Sequence, residues 1–369
     1  MPALLVHHNG KRYDVSSFLA YHPGGAECIK ALEGQDVTEA MRASGGHEHS
    51  EAAWEMMEDL QTTVDPDWVA PDGFVPEDTD VAHDFKQSKF LDLNKALLPQ
   101  LWNAKMSKAF YLSQVHQPRH LPRSALLFGP AYLEVFTKTY WFIVPLIWLP
   151  IAMFLAYVSA VQFSNPHLHL TARSIFDNAY DDLRDTGRVA APHVSDRALN
   201  KSTICLGLGG VIWTLLEYVF HRFLFHLDEL LPSNSKAFTI HFLMHGVHHY
   251  LPMDPYRLVM PPVMFFTLQL PMTTLAHTII AWGDGAGAWG IIAGAFFGYV
   301  CYDCFHYASH HIQMTGYFDR QRKYHLEHHY KNYELGFGVT SKFWDWVFNT
   351  TYEAVRPNKA STAKVNAKC

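Results

Sequence analysis

The 369-residue sequence has little of what marks several common protein classes. It contains only five cysteines, odd in number and scattered, so a disulfide framework is not expected. Its opening residues are too short in apolar length for a signal peptide and lack a cleavage pattern, so we expect the N-terminal part to stay in the cytosol. The formal charge is −6, and this lack of a basic excess argues against a nucleic-acid-binding protein.

Negative charge is concentrated at the N-terminal end. Residues 1–80 carry sixteen Asp and Glu against four Lys and Arg, whereas the rest of the chain is basic overall. Such an asymmetry suits docking to a basic partner or to a basic face of the same chain. Residues 66–84 are rich in Pro and Asp and indicate a linker. Amphipathic stretches within 85–138 then predict helices at a membrane surface.

Long apolar runs follow in the rest of the chain. Four segments without Lys or Arg have about the 17–23 residues that a helix needs to cross a bilayer core. These segments are Thr139–Val161, Thr203–Phe220, Met260–Trp282 and Ala286–Tyr302. Glu217 and His277 lie within them and should face the bundle interior, because ionisable groups are costly in lipid. Four crossings return the chain to its starting side, so the N-terminal part and the segments after Phe220 and Tyr302 are predicted to share one face.

A histidine motif near the N-terminus carries the first specific signal. Residues 18–25 read FLAYHPGG, in which proline fixes the backbone after His22 and the paired glycines permit close approach to a flat cofactor. Residues 47–50 read HEHS and supply a second histidine from another loop. Two such histidines can fill both axial positions of a haem iron, which then transfers electrons and cannot bind oxygen.

Residues 5–75 resemble cytochrome b5. The resemblance rests on Tyr13-Asp-Val, on HPGG and on the later His-Ser pair. It implies a small α+β domain that binds haem b, with His22 and His49 as axial ligands. The interval between them is a few residues longer than in the free-standing cytochrome, which leaves His47 as an alternative. The serine after His49 favours His49.

Histidine is concentrated where the apolar segments end. The chain has 24 histidines, and thirteen of them lie between His221 and His329. Ten of these form four boxes and are the candidate metal ligands: His221, His226, His245, His248, His249, His306, His310, His325, His328 and His329. Offsets of three and four place side chains on one helix face, whereas His221 and His226 differ by five and need a local bulge or a metal across the helix end. Ten imidazoles are about five for each of two ions.

Several residues near the histidine boxes are not predicted metal ligands but have other expected roles. Some of the carboxylates of Glu217, Asp303 and Glu327 are predicted to orient the ring N–H groups of metal ligands. Arg257 is a candidate for closing over a substrate head group. The histidines left outside the ligand set are His241, His277 and His311. The pair Cys301 and Cys304 has CxxC spacing at the end of an apolar helix, which favours packing over metal binding.

The chain from residue 5 to about 350 resembles the fatty acid 2-hydroxylase family, sphingolipid α-hydroxylases with an N-terminal cytochrome b5 domain. The segments that carry the likeness are FLDLNK at 90–95, QVHQPRH at 114–120, HRFLFH at 221–226 and GFGVTSKFWD at 336–345. The resemblance implies O2-dependent hydroxylation at C2 of a long or very long acyl chain, free or within ceramide. It also implies electrons from an NAD(P)H-dependent cytochrome b5 reductase, two metal ions (iron for catalysis, with zinc able to stand in for it) and residence in the endoplasmic reticulum membrane.

The expected architecture is multidomain. Residues 1–75 form the cytochrome b5-like α+β domain, and 76–138 form a linker with membrane-surface helices. Residues 139–350 form an all-α membrane domain with four transmembrane helices and a histidine-rich helical cap, which faces the cytosol as the haem domain does. Residues 351–369 are a C-terminal tail.

Three other functions share parts of the pattern. A cytochrome b5-fused desaturase shares HPGG, but its last box usually begins with Gln where this chain has His325. A sterol oxidase of the same superfamily rarely carries a fused haem domain. A non-enzyme alternative is a membrane-anchored haem electron carrier. Metal content separates the carrier from the oxygenase, and product analysis separates desaturation from hydroxylation.

Overall fold

The structure is a computed structural model that describes residues 4–8, 11–37, 40–41, 49–58, 60–62, 68–165, 193–280 and 285–352. Its contacts divide the chain into two units. The first unit contains the described residues up to Val69, together with Tyr330–Asn332 and Tyr352. The second contains the described residues of Ala70–His329 and Tyr333–Thr351.

The first unit is a small α+β domain, as predicted. Its three-stranded antiparallel sheet has the order β1-β2-β3, with β1 at Leu5–His8, β2 at Lys11–Asp14 and β3 at Gln61–Thr62. Val6 and Tyr13 lie directly opposite each other on β1 and β2, and both are buried. Because side chains alternate along a strand, this register defines the sheet face that covers the core. The described residues of this unit also form a short 3-10 helix at Ser16–Phe18 and the helices α1 (Ala26–Lys30) and α2 (Glu51–Glu58).

All regular secondary structure among the described residues of the second unit is helical. Its helices are α3 (Val81–Ser88), α4 (Leu97–Trp102), α5 (Lys108–Val115), α6 (Ala131–Glu134), α7 (Ile143–Ser164), α8 (Asp196–Val219), α9 (Ser235–His241), α10 (Val247–Tyr250), α11 (Pro262–Ile279), α12 (Ala286–His311), α13 (Gly316–Tyr330) and α14 (Phe343–Val347). Two π-helical turns interrupt the pattern, one at Phe220–Phe225 after α8 and one at Phe242–Gly246 after α9.

Within the part of the chain that the structure describes, three helices are long and apolar enough to cross a membrane. They are Ile143–Ser164, Asp196–Phe225 and Ala286–His311, which correspond to three of the four predicted spans. The remaining predicted span forms α11, which is shorter and carries Gln269, His277 and four threonines among its 18 residues. Three candidate spans are therefore found where the sequence predicts four.

Helices α8 and α12 approach each other backbone to backbone. A Cβ added at Gly294 of α12 would lie 2.0 Å from the carbonyl oxygen of Leu206 on α8. A Cβ added at Gly209 of α8 would lie equally close to the carbonyl oxygen of Ile291. Only glycine permits this approach, since any side chain would push the helices apart. Their close packing brings together the two helix ends that carry histidine boxes.

The apolar residues near α4, expected at a membrane surface, pack inside the second unit. Phe90, Leu91 and Leu97 are buried in a cluster that also contains Phe242 of the second π-turn and Tyr250 of α10. Removing this apolar surface from water favours the packed arrangement. The segment therefore supports the loop that carries three of the box histidines.

Candidate metal centre

The two π-helical turns set the direction of the first histidines. The N–H of His226 donates to the carbonyl oxygen of His221 at 3.1 Å, a hydrogen bond from residue i+5 to residue i. Such a wide turn lets residues five apart share one side of the helix, which a regular α-helix forbids. The bulge that the His221–His226 spacing requires is therefore present.

The ten box histidines converge into two groups of five. The first group contains His221, His226, His245, His249 and His328, and the second contains His248, His306, His310, His325 and His329. Within each group the possible ligand nitrogens all lie within 4.8 Å of one another. Adjacent residues belong to different groups, as His248 and His249 do, because successive helical side chains point about 100° apart. Two boxes are thus divided between the two groups.

The Nε2 atoms face inward in both groups. In the first, the Nε2 of His245 lies 3.1 Å from the Nε2 atoms of His221 and His249. In the second, the Nε2 of His325 lies 3.0 Å from that of His310 and 3.1 Å from that of His329. Nitrogens that share a metal at bonds of about 2.0–2.1 Å lie at such separations.

Burial keeps these imidazoles neutral. Burial, and after it the neighbouring histidines, holds the pKa of His245, His249 and His329 well below the ordinary value. A neutral imidazole has a free lone pair on one nitrogen, which is the form that binds a metal ion. The electrostatics of the site therefore suit a cation bound among lone pairs.

Backbone carbonyls fix the tautomer of three rings. The Nδ1–H of His328 donates to the carbonyl oxygen of Leu335 at 2.7 Å, and that of His306 donates to Leu258 at 2.9 Å. His221 makes the same contact with Phe337. A ring that donates outward through Nδ1 presents the Nε2 lone pair inward, so facing lone pairs would repel without a cation between them. The donor set fits two metal ions.

Glu217 and Asp303 do not contact the rings of the box histidines directly; they bind groups that neighbour those rings. Glu217 accepts hydrogen bonds from the backbone N–H groups of Val339 and Thr340 and from the Thr340 hydroxyl, not from a box histidine. Asp303 accepts from the N–H of Met260 and from the hydroxyl of Tyr299. Neither residue makes the direct ring contact that is predicted for some of these carboxylates. For Glu327 it stays a prediction.

These contacts still support the site. Glu217 and Asp345 hold the loop that offers its carbonyl oxygens to His221 and His328, since Asp345 accepts from the N–H groups of Phe337 and Gly338. Buried carboxylates with several N–H donors fix a loop firmly. The loop in turn fixes the orientation of two box histidines.

The sequence reasoning missed His116 and Asp228, which form a third group with His226. The only sequence signals were the position of Asp228 two residues after His226 and the place of His116 in a family-like segment. Burial opposes the ionisation of Asp228, but the hydrogen bond from His116 and the close approach of His226 and His241 hold the pKa of that carboxyl well below its usual range. A buried anion thus lies behind the first histidine group.

The histidines left out of the ligand set lie outside both five-membered groups. The Nδ1 of His241 lies 2.8 Å from the hydroxyl oxygen of Tyr111, which donates its hydrogen to the carbonyl oxygen of Phe238. His277 packs against Trp289, and His311 packs against Tyr307.

The first unit brings the two predicted haem ligands face to face. The rings of His22 and His49 are nearly parallel, at 15°, with centroids 6.1 Å apart. Metal–imidazole bonds of about 2 Å, added to about 1 Å from nitrogen to ring centre, give about 6 Å across one metal. The Nδ1 of His22 lies 3.0 Å from the carbonyl oxygen of Gly25, and that of His49 lies 3.2 Å from that of Met41. The pair fits a haem iron with both axial positions filled, whereas His47 lies outside the described residues.

Comparison with known proteins decides the family. A model described as cytochrome b5-like heme/steroid binding domain matches residues 3–63, and a fatty acid hydroxylase model matches residues 206–350. The chain is 40% identical over 383 residues to the ceramide very long chain fatty acid hydroxylase of Saccharomyces cerevisiae, covering 94% of this chain and 89% of that protein. The chain belongs to the fatty acid 2-hydroxylase family.

Other members of the fatty acid 2-hydroxylase family are also similar to this chain over most of its length. The fatty acid 2-hydroxylase of Homo sapiens is 32% identical over 364 residues, which is 94% of this chain and 91% of that one. A solved structure described as full-length scs7p, with only the hydroxylase domain visible, matches with a TM-score of 0.63 and 41% identity. The match covers 76% of this chain and 92% of that chain. The family resemblance expected from the sequence is confirmed.

Proposed function

We propose that this protein hydroxylates C2 of a long or very long fatty acyl chain in a membrane, using O2. The observation that carries the proposal is the convergence of ten histidine nitrogens into two groups of five in a chain of this family. We assign all ten as metal ligands, together with His22 and His49 as the axial ligands of haem b. The proposed domain boundaries are 1–75, 76–138, 139–350 and 351–369.

Iron is the metal that the fused haem domain favours. Zinc has no redox chemistry, so an electron carrier in the same chain would serve no purpose beside a zinc hydrolase. When bound, the iron pair would supply oxygen activation and the haem would supply single electrons. The electron donor we propose is an NAD(P)H-dependent cytochrome b5 reductase. The protein contributes ring orientation through the carbonyl oxygens of Leu258, Leu335 and Phe337.

An apolar cavity beside both histidine groups provides the place for an acyl chain. Its volume is about 270 Å³, and His245, His248 and His306 lie on its wall. The rest of the lining is mostly aliphatic and aromatic, as at Leu243 and Met264. Apolar walls hold the chain and exclude water from the reacting carbon. C2 is thereby held near both groups of nitrogens.

Charge in the cavity favours an amide-linked acyl chain over a free acid. Among the residues that line it, Arg257 is the cation, and its terminal nitrogens donate to Asp254 at 2.6 Å and to Glu134 at 2.7 Å. A free carboxylate would therefore find no available cationic side chain on the wall and would also meet Asp303, so its positive partners would be limited to the proposed metal ions. The uncharged amide of a ceramide avoids both costs. Arg257 thus connects Asp254 to Glu134 of α6 rather than closing over a head group.

We also propose four crossings, with the haem domain and the histidine groups toward the cytosol in the endoplasmic reticulum. Helix α12 ends at the metal centre with His306 and His310, and its 26 residues extend about 39 Å from that end. The chain enters α11 a few residues after Leu258, at the same end. With 18 residues, or about 27 Å, α11 is long enough to reach the far side of a bilayer core.

Lipid mass spectrometry of cells with and without this chain tests the proposal. We expect 2-hydroxy acyl ceramides to appear only with the chain, at a mass one oxygen above the parent lipid. Acyl chains that lose two hydrogens instead would identify a desaturase. An unchanged lipid profile, with haem in the purified protein but no second metal, would identify an electron carrier.

A further inference from the structure

A buried carboxylate lies directly behind the first histidine group. One oxygen of Asp228 lies 3.5 Å from the Nδ1 of His226. The same carboxylate lies 3.3 Å from the Nε2 of His116 and 3.1 Å from the Nε2 of His241. The three imidazole side chains are at most 4% exposed and the carboxylate is 13% exposed. One carboxylate thus lies within 3.5 Å of a nitrogen of each of three imidazoles.

His226 is a box histidine whose Nδ1 faces a side-chain carboxylate instead of a backbone carbonyl. It lies beyond the π-helical turn, where its own backbone no longer continues a helix. Its Nε2 faces that of His328 at 3.0 Å, and its Nδ1 faces Asp228. His221 and His328 instead give their Nδ1 hydrogens to neutral backbone carbonyls. A carboxylate partner orients the ring and also makes it a stronger donor.

Packed rings hold Asp228 in place. His116 stacks on Tyr333 with centroids 3.5 Å apart and an angle of 5°. His241 is fixed from the other side by the Tyr111 hydroxyl, and Tyr111 stacks on Phe238 at 4.5 Å. Because these partners are themselves held by packing, the carboxylate keeps one orientation instead of rotating between several. Its contact with His226 is therefore a fixed feature of the fold.

We propose that Asp228 is a positioning residue that orients His226 and strengthens ion binding in the first histidine group. This inference rests on the metal centre of the proposed function. In the second group, His306 gives its Nδ1 hydrogen to the carbonyl of Leu258, which carries no net charge. The two metal positions therefore differ, and loss of the Asp228 charge weakens one of them.

The test is metal retention by purified full-length protein. Metal ions per chain are counted by mass spectrometry, and their release to excess chelator is followed in time. We expect two slowly released ions in the unaltered protein. In Asp228→Asn, one of the two should leave at least about tenfold faster, the scale of losing an outer partner of a metal-binding histidine. Asp228→Glu, which keeps the charge, should restore part of the difference.

Two further variants separate positioning from folding. Asp92→Asn is the matched control, since its carboxylate is 15% exposed and ion-paired with Lys95, and it should release both ions at the normal rate. His116→Phe keeps a ring on Tyr333 but removes a hydrogen bond to Asp228, and should speed the loss of one ion about fivefold. This variant carries the test if Asp228→Asn does not fold.

The outcomes separate this inference from the proposed function. Two ions released at the normal rate from Asp228→Asn would overturn the positioning role, as would loss of both ions together with the haem. Fewer than two ions in the unaltered protein would instead overturn the metal centre itself.

Discussion

His325→Ala is expected to abolish 2-hydroxylation, with a loss of more than about 100-fold in product formed. The His325 side chain is fully buried, and its Nε2 faces those of both His310 and His329. Its removal deletes a central nitrogen of the second group and leaves a cavity that no other side chain can fill with a donor. The measurement is product formation by mass spectrometry, with haem absorbance and metal content on the same sample.

His311→Ala is the matched control for this variant. His311 is adjacent to His310, but its ring packs against Tyr307, outside both groups. We expect normal activity, haem content and metal content from it. Near-normal product formation by His325→Ala would remove His325 from the ligand set and contradict the assignment of five ligands to the second ion.

His49→Ala is expected to reduce haem content to about a tenth or less, because a haem iron held by two histidines loses one of its two protein bonds. Hydroxylation driven by NADH and a cytochrome b5 reductase should fall with it. The geometric reason is the near-parallel pair of His22 and His49, 6.1 Å between ring centres. The measurement is the haem absorbance per chain, compared with metal ions per chain, which should stay at two.

His47→Ala distinguishes the alternative ligand that the sequence leaves open. If His49 binds the iron, His47→Ala keeps both the haem and the activity. Loss of haem from His47→Ala, with normal haem in His49→Ala, would assign the axial position to His47. The comparison needs no assumption about the metal centre, because haem absorbance reads the first unit alone.

Much of the candidate site follows from sequence spacing. Offsets of three and four predict that box residues such as His306 and His310 share a helix face. The parity of the apolar segments predicts that boxes far apart in the chain lie on one side. The five-residue interval from His221 to His226 predicts a bulge, and the structure forms it as a π-helical turn.

Other features depend on contacts that no spacing reveals. Helix geometry turns the side chains of His248 and His249 apart, but the packing of four segments decides which group each of them joins. Glu217 looked like a partner of His221, yet it holds the loop at Val339 and Thr340 instead. The only sequence signal for Asp228 is its position two residues after His226, because its other histidine partners, His116 and His241, come from separate segments.

The least apolar of the predicted spans is the one that the structure leaves unconfirmed. The predicted span Met260–Trp282 carries polar side chains, and in the structure its helix covers only Pro262–Ile279. The stretch after Phe90 was expected at a membrane surface, but its apolar face is covered by Phe242 and Tyr250. An amphipathic pattern shows that one face is covered but does not show whether lipid or protein covers it.

Isotope labelling tests the central claim most directly. Purified protein loaded with haem and iron is supplied with a cytochrome b5 reductase, NADH, a ceramide and ¹⁸O2, and the product is measured by mass spectrometry. We predict one ¹⁸O atom at C2 of the acyl chain, with its formation lost in His325→Ala. A hydroxyl group derived from water, or an acyl chain that has lost two hydrogens, would contradict oxygen transfer at this histidine centre.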